Sequence, residues 1–116
     1  MGEYKVKSRR TKATSIPRRV MDAVWERDEG RCVLCGSHEA GPYCHFIRRS
    51  QGGLGIEENI WTGCQRCHDL FDNVTDGWWH ANARLKLEEH FKRHYERWDE
   101  RKLIYTKYGG IYDNGC

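Results

Sequence analysis

Two cysteine pairs, Cys32-Val33-Leu34-Cys35 and Cys64-Gln65-Arg66-Cys67, define the first chemistry open to this chain. A C-x-x-C turn presents two thiolates to one ion, and two such turns supply the closed tetrahedral shell of a structural zinc. A redox-active dithiol or an iron–sulfur centre uses similar pairs. No βαβ pattern surrounds these, however, and zinc is the usual occupant of two such knuckles. Residues 36–63 separate the pairs, a longer insert than the roughly 15–20 residues of a simple zinc ribbon. That insert holds His45, a glycine-rich stretch and Asn59, and His68 directly follows the last cysteine of the second pair. On a helix, neighbouring side chains diverge by about 100°, so Cys67 faces a zinc while His68 faces the insert. Asp72, four residues on, shares the face of His68.

These residues need a small set of elements to position them. A helix is expected from Ser15-Ile16-Pro17 to about Asp28, capped near Ser15 and closed at Gly30, with Val20, Met21, Val24 and Trp25 on one face. Residues 43–47 and 59–62 read as short strands joined by the turn-rich Ser50-Gln51-Gly52-Gly53-Leu54-Gly55. A short helix follows from the second knuckle through about Asn73. A longer one spans roughly 78–98, its stripe of Leu87, Phe91, Tyr95 and Trp98 covering the core. His80, His90 and His94 read as surface or rim side chains, since no third convergent ligand accompanies them. The expected fold class is α+β. A basic, flexible arm spans 1–14, a domain 15–100 with its motif core at 30–73, and a tail 101–116.

Taken together, Cys44-His45-Phe46-Ile47-Arg48-Arg49-Ser50-Gln51-Gly52-Gly53, Glu58-Asn59-Ile60 and Cys64-Gln65-Arg66-Cys67-His68-Asp69-Leu70-Phe71-Asp72 resemble the HNH endonuclease motif. This is the zinc-containing branch of the ββα-metal, or His-Me finger, nucleases. The resemblance implies a ββα-metal core with a structural zinc, flanked by an N-terminal and a C-terminal helix. It implies that His45 is the general base for an attacking water, a role suited to neutral imidazole. It makes Asn59 the central Asn that braces the loop and orients the base, and His68 a ligand of a catalytic divalent metal. That metal would be Mg²⁺ or Mn²⁺, with Ni²⁺ or Zn²⁺ as alternatives, and the products would carry 5′-phosphate and 3′-hydroxyl ends. Asp72 stands where several members carry His or Asn, and its hard carboxylate suits Mg²⁺ or Mn²⁺; Asn73 competes for the same role. Cys44 stands where many members place Asp or His. It is either a ligand, which needs a distorted strand, or a small buried residue. Arg48 and Arg49 are candidate phosphate contacts. The lead-in helix and aromatic tail are similar to small phage HNH proteins, which implies phage packaging or other DNA-processing partners.

Composition sets the frame. At 116 residues, 38% hydrophobic and 32% charged, the chain suits one domain whose thin core a metal staple would reinforce. Lys5, Lys7, Arg9, Arg10, Lys12, Arg18 and Arg19 oppose Glu3 near the N-terminus, although the whole chain is only +3. Such a run either contacts nucleic-acid phosphates, with Arg9, Arg10 and Lys12 the candidates, or is a solvated terminus. No stretch is long and apolar enough to span a membrane, and no hydrophobic run follows the basic start as in a secretory signal. A reducing, cytoplasmic compartment (that of the host, if phage-encoded) is therefore expected, where paired cysteines bind metal rather than form disulfides. Two function classes follow: a metal-dependent endonuclease acting on DNA, or a non-catalytic zinc-knuckle module that binds nucleic acid.

Overall fold

A computed structural model describes residues 8–73 and 77–107. The chain runs α1 (Arg9–Thr14), α2 (Arg18–Arg27), β1 (Ala40–His45), a 3-10 turn (Arg49–Gln51), β2 (Ile60–Cys64), α3 (Gln65–Asn73), α4 (Trp78–His94) and a second 3-10 turn (Glu100–Leu103). It is a small mixed α/β fold on one two-stranded antiparallel sheet. Ala40 pairs with Cys64 and Gly41 with Gly63, but Cys44 pairs with Trp61 and His45 with Ile60, so β1 carries one extra residue. Among the described residues no helix is long and apolar enough to cross a membrane.

The main core gathers Phe46, Ile47 and Trp61 from the hairpin, Phe71 from α3, Leu87 and Phe91 from α4, and Leu103 beyond it. Phe46 sits at its centre, edge-on to Phe91 and to Trp98 with ring centroids 5.7 Å apart in each pair. Val20 and Val24 bury one face of α2 against Ile60. Edge-to-face rings contribute beyond their buried area, which suits a core short of aliphatic side chains.

Several expectations shift. The basic arm expected over 1–14 ends in α1, whose N-cap Ser8 accepts the Thr11 amide at 3.1 Å. Pro17, not Ser15, precedes the first turn of α2, and no side chain caps it. Trp25 lies half in solvent rather than in the core. The final helix stops at His94, so Tyr95 and Trp98 pack from the segment after it. Leu103 is fully buried and Ile104 bridges to Gly53, so the domain extends past 100 and takes in the start of the expected tail. Residues 1–7, 74–76 and 108–116, which hold the start of the expected arm and the rest of the expected tail, lie outside the described residues.

His90 is the sharpest correction to the histidines. It is buried, and its Nε2 donates to Asp28 Oδ1 at 2.7 Å. Asp28 also takes both ends of the Arg27 guanidinium, at 2.7 and 2.9 Å, and the Thr62 amide at 2.9 Å. Arg27 in turn donates to the carbonyls of Glu57 and Ile60 and to the Tyr95 hydroxyl. Burial alone would raise the Asp28 carboxyl, but the bonds from His90 and Arg27, the Arg27 charge and the Thr62 amide hold it far below the usual range. This network pins α2, β2 and α4 together.

Candidate metal centre and adjoining cleft

Cys32 and Cys35 come from the turn after α2, Cys64 from the end of β2, and Cys67 from the first turn of α3. The turn is fixed to the sheet by the Val33 amide, which donates to the Thr62 carbonyl at 2.9 Å, and is closed by the Gly36 amide on Cys32 O at 2.8 Å. The four sulfurs lie within 4.8 Å of one another. Cys35 Sγ and Cys64 Sγ are 3.6 Å apart, close to the ~3.8 Å expected between thiolates about 2.3 Å from one tetrahedral ion. That separation is far beyond a disulfide bond, and all four are free thiols. The Cys67 amide donates to Cys64 Sγ at 3.4 Å, the kind of N–H contact that stabilises a coordinated thiolate. The donor set and spacing fit a metal ion such as zinc.

On the other side of α3 an open cleft of about 390 Å³ is lined by His45, Arg48, Arg49, His68, Asp72 and Asn73. His45 ends β1, and its Nε2 lies 3.0 Å from the carbonyl oxygen of Thr14 at the end of α1. A carbonyl only accepts, so Nε2 carries the hydrogen and the neutral ring keeps Nδ1 as its acceptor. Burial lowers the His45 pKa below its ordinary value, aided by the charge of Arg49 and outweighing the Thr14 hydrogen bond. His45 is thus neutral near pH 7. His68 Nε2 and Asp72 Oδ2 stand 3.0 Å apart on successive turns of α3. At that distance the two side chains contact each other directly, and they set two possible metal-donor atoms side by side on one helix face.

The loop between the strands is held from inside. Asn59, fully buried, accepts the Ile47 amide at 2.8 Å and donates to the carbonyls of Leu54 and Ile47 at 2.8 and 3.2 Å. These bonds hold the loop from within, and none of those among the described residues reaches His45. Gly52, at φ +87°, turns the chain after the 3-10 turn, and a Cβ on Gly53 would strike the Ile47 carbonyl at 1.7 Å. These contacts keep Arg48 and Arg49 beside His45.

The arginines differ in what they do. Arg48 donates to the main-chain carbonyl of Asp72, tying the loop to α3. Arg49 donates to Thr14 Oγ1 at 3.2 Å and Ser15 Oγ at 2.7 Å, and Arg10 returns a bond to the Ser50 carbonyl at 2.9 Å. Arg10 and Arg49 therefore lock α1 onto the loop, while Arg9 and Lys12 stay exposed on α1. The role of Thr14 was not legible in the sequence, because its main chain rather than its side chain meets His45.

Cys44 follows the extra residue in β1, so the strand is distorted as a ligand role would need. Its sulfur nevertheless packs in the core, within 2.8 Å of where a Cβ on Gly63 would stand. Burial first, then the nearby Asp72 charge, drives its thiol far above the ordinary range. Among the described residues only the four-cysteine cluster brings three or more metal-donor side chains together. Comparison with known proteins finds no matching family model, no matching curated protein and no matching solved structure.

Proposed function

We propose that this protein is a metal-dependent endonuclease of the HNH type that hydrolyses DNA phosphodiester bonds, with β1, β2 and α3 as its ββα-metal core. The observation that carries this reading is the meeting of His45, His68, Asp72 and Arg49 in one cleft, backed by a four-cysteine cluster that joins the turn after α2 and the end of β2 to the first turn of α3. His45 takes a proton from the attacking water at Nδ1, since Nε2 is committed to the Thr14 carbonyl. His68 and Asp72 would hold the catalytic divalent ion, Mg²⁺ or Mn²⁺, which supplies charge stabilisation to the scissile phosphate and its departing 3′ oxygen. Arg48 and Arg49 line the cleft where that phosphate would sit, and Arg9 and Lys12 are exposed on α1, which Arg10 and Arg49 tie to the same loop. The cysteine cluster, holding zinc, fixes the start of α3 and thereby the direction of His68. A bound zinc also contributes folding free energy, which a thin core needs.

Supercoiled plasmid incubated with wild type and His45→Ala in Mg²⁺, Mn²⁺, Ni²⁺ or Zn²⁺ tests the proposal. Metal-dependent nicking or linearisation by wild type, lost in His45→Ala, is expected. Equal inactivity of both proteins in every metal, with DNA still bound, would leave the zinc-knuckle binding module as the function.

A further inference from the structure

The extra residue in β1 sets Pro42 and Tyr43 together opposite Thr62, because Gly41 pairs with Gly63 and Cys44 with Trp61. Such a bulge re-aims a side chain and recurs beside functional sites. Tyr43, within this irregularity, faces outward and is 61% exposed, while its neighbour Cys44 is buried. The ring lies back over Gly41, where a Cβ would come within 1.9 Å of Tyr43 Cζ. Tyr43 borders a second cleft of about 350 Å³, shared with Glu39, Gln65 and His68. The two clefts thus meet at His68, which lines both.

Their linings differ in charge. The first has Arg48 and Arg49, whereas no cation lines the second and Glu39 stands at its edge. A phosphate is better matched by the first cleft, whose two arginines outnumber Asp72, than by the second, which offers a flat aromatic face, Glu39 and the polar side chain of Gln65. We propose that Tyr43 is a stacking platform for the nucleobase next to the phosphate seated at His68. The inference rests on the nuclease reading for the position of that phosphate. Base-on-aromatic stacking tolerates any sequence, because every base has a π-face.

The test uses the full chain carrying His45→Ala, with short single-stranded DNA bearing 2-aminopurine at each position in turn, in Mg²⁺. Binding should quench the fluorophore most at one position. Adding Tyr43→Ala should weaken binding about tenfold and abolish that quench, while Tyr43→Phe retains both. Gly41→Ala should act like Tyr43→Ala, since the new methyl would occupy the place of the outer end of the ring and displace it. Zinc content and circular dichroism confirm that each variant is folded. Unchanged affinity and quench in Tyr43→Ala, or no binding of the oligonucleotide at all, overturns the platform. Plasmid cleavage by the otherwise wild-type chain separates the two ideas. Tyr43-dependent quenching without any cleavage retains the platform and removes the nuclease, and cleavage unaffected by Tyr43→Ala does the reverse.

Discussion

His45 is held by the main chain of Thr14: its Nε2 meets the Thr14 carbonyl at 3.0 Å across 31 residues of sequence. One bond fixes the ring's tautomer and joins the short N-terminal helix to the end of β1. Arg49, bonded to Thr14 Oγ1 and Ser15 Oγ, closes the same contact from the other side. The orientation of this imidazole is therefore set by a segment whose sequence, Arg-Arg-Thr-Lys-Ala-Thr, carries no apolar period.

A pH–rate profile should reflect this. The His45 pKa is lowered from 6.5, chiefly by burial, so the imidazole loses its base function only below that pH. The acid limb of cleavage is expected below pH 6.5, and Arg49→Ala, which removes a cation that lowers the pKa, should move it upward. A limb above the ordinary histidine value in the wild type would contradict the assignment.

Removing Asp72, one of the two donors proposed for the catalytic ion, should weaken metal use without changing zinc content. Asp72→Ala leaves His68 with one fewer partner 3.0 Å away. The concentration of Mn²⁺ giving half-maximal cleavage should rise about tenfold or more, as for loss of a ligand or its close partner. Zinc per chain, measured by atomic emission, should stay the same. Equal Mn²⁺ dependence in both proteins would remove Asp72 from the metal site.

Local relationships were legible in the sequence and distant ones were not. The cysteine pairs declare themselves by spacing, and His68 with Asp72 by the helical i, i+4 relation, so both survive in the three-dimensional arrangement. For Asn59 the resemblance implies bonds to both the loop and His45; its amide bridges Ile47 and Leu54, and no bond to His45 is among those of the described residues. His90 was misread because a histidine in a polar helix looks solvated, and only Asp28, 62 residues away, makes its burial tolerable. α1 was misread for a related reason: a six-residue helix has little stability alone, and its cap at Ser8 and bonds to the loop hold it. The inclusion of Leu103 and Ile104 depended on a bridge to Gly53 that no periodicity announces.

The cysteine cluster should contain one zinc per chain. Cys64→Ser should lose the metal and unfold or melt far below wild type, because Cys64 both closes β2 and receives the Cys67 amide. Full zinc retention with an unchanged melting temperature would contradict a four-thiolate site.

Acid stability should depend on Asp28. Its carboxyl is fully buried and bonded to Arg27, His90 and the Thr62 amide. Asp28→Ala leaves a buried guanidinium without its partner, and such losses cost about 3–5 kcal/mol. The folded-state pKa is depressed, so this contribution is complete above the ordinary carboxylate value near 4 and is lost as pH falls through the depressed value. The stability gap between wild type and Asp28→Ala in urea melts should narrow as pH falls below about 4. A gap that widens in acid would contradict the network.

Single-turnover cleavage of an end-labelled DNA duplex, with zinc-loaded protein in excess and Mg²⁺ or Mn²⁺ present, tests the central claim most directly. Wild type should yield 5′-phosphate and 3′-hydroxyl ends, and His45→Ala should slow the reaction by about a hundredfold or more, as for loss of a general base. Cleavage by His45→Ala at the wild-type rate, or none by either protein with zinc in place and DNA bound, would contradict it.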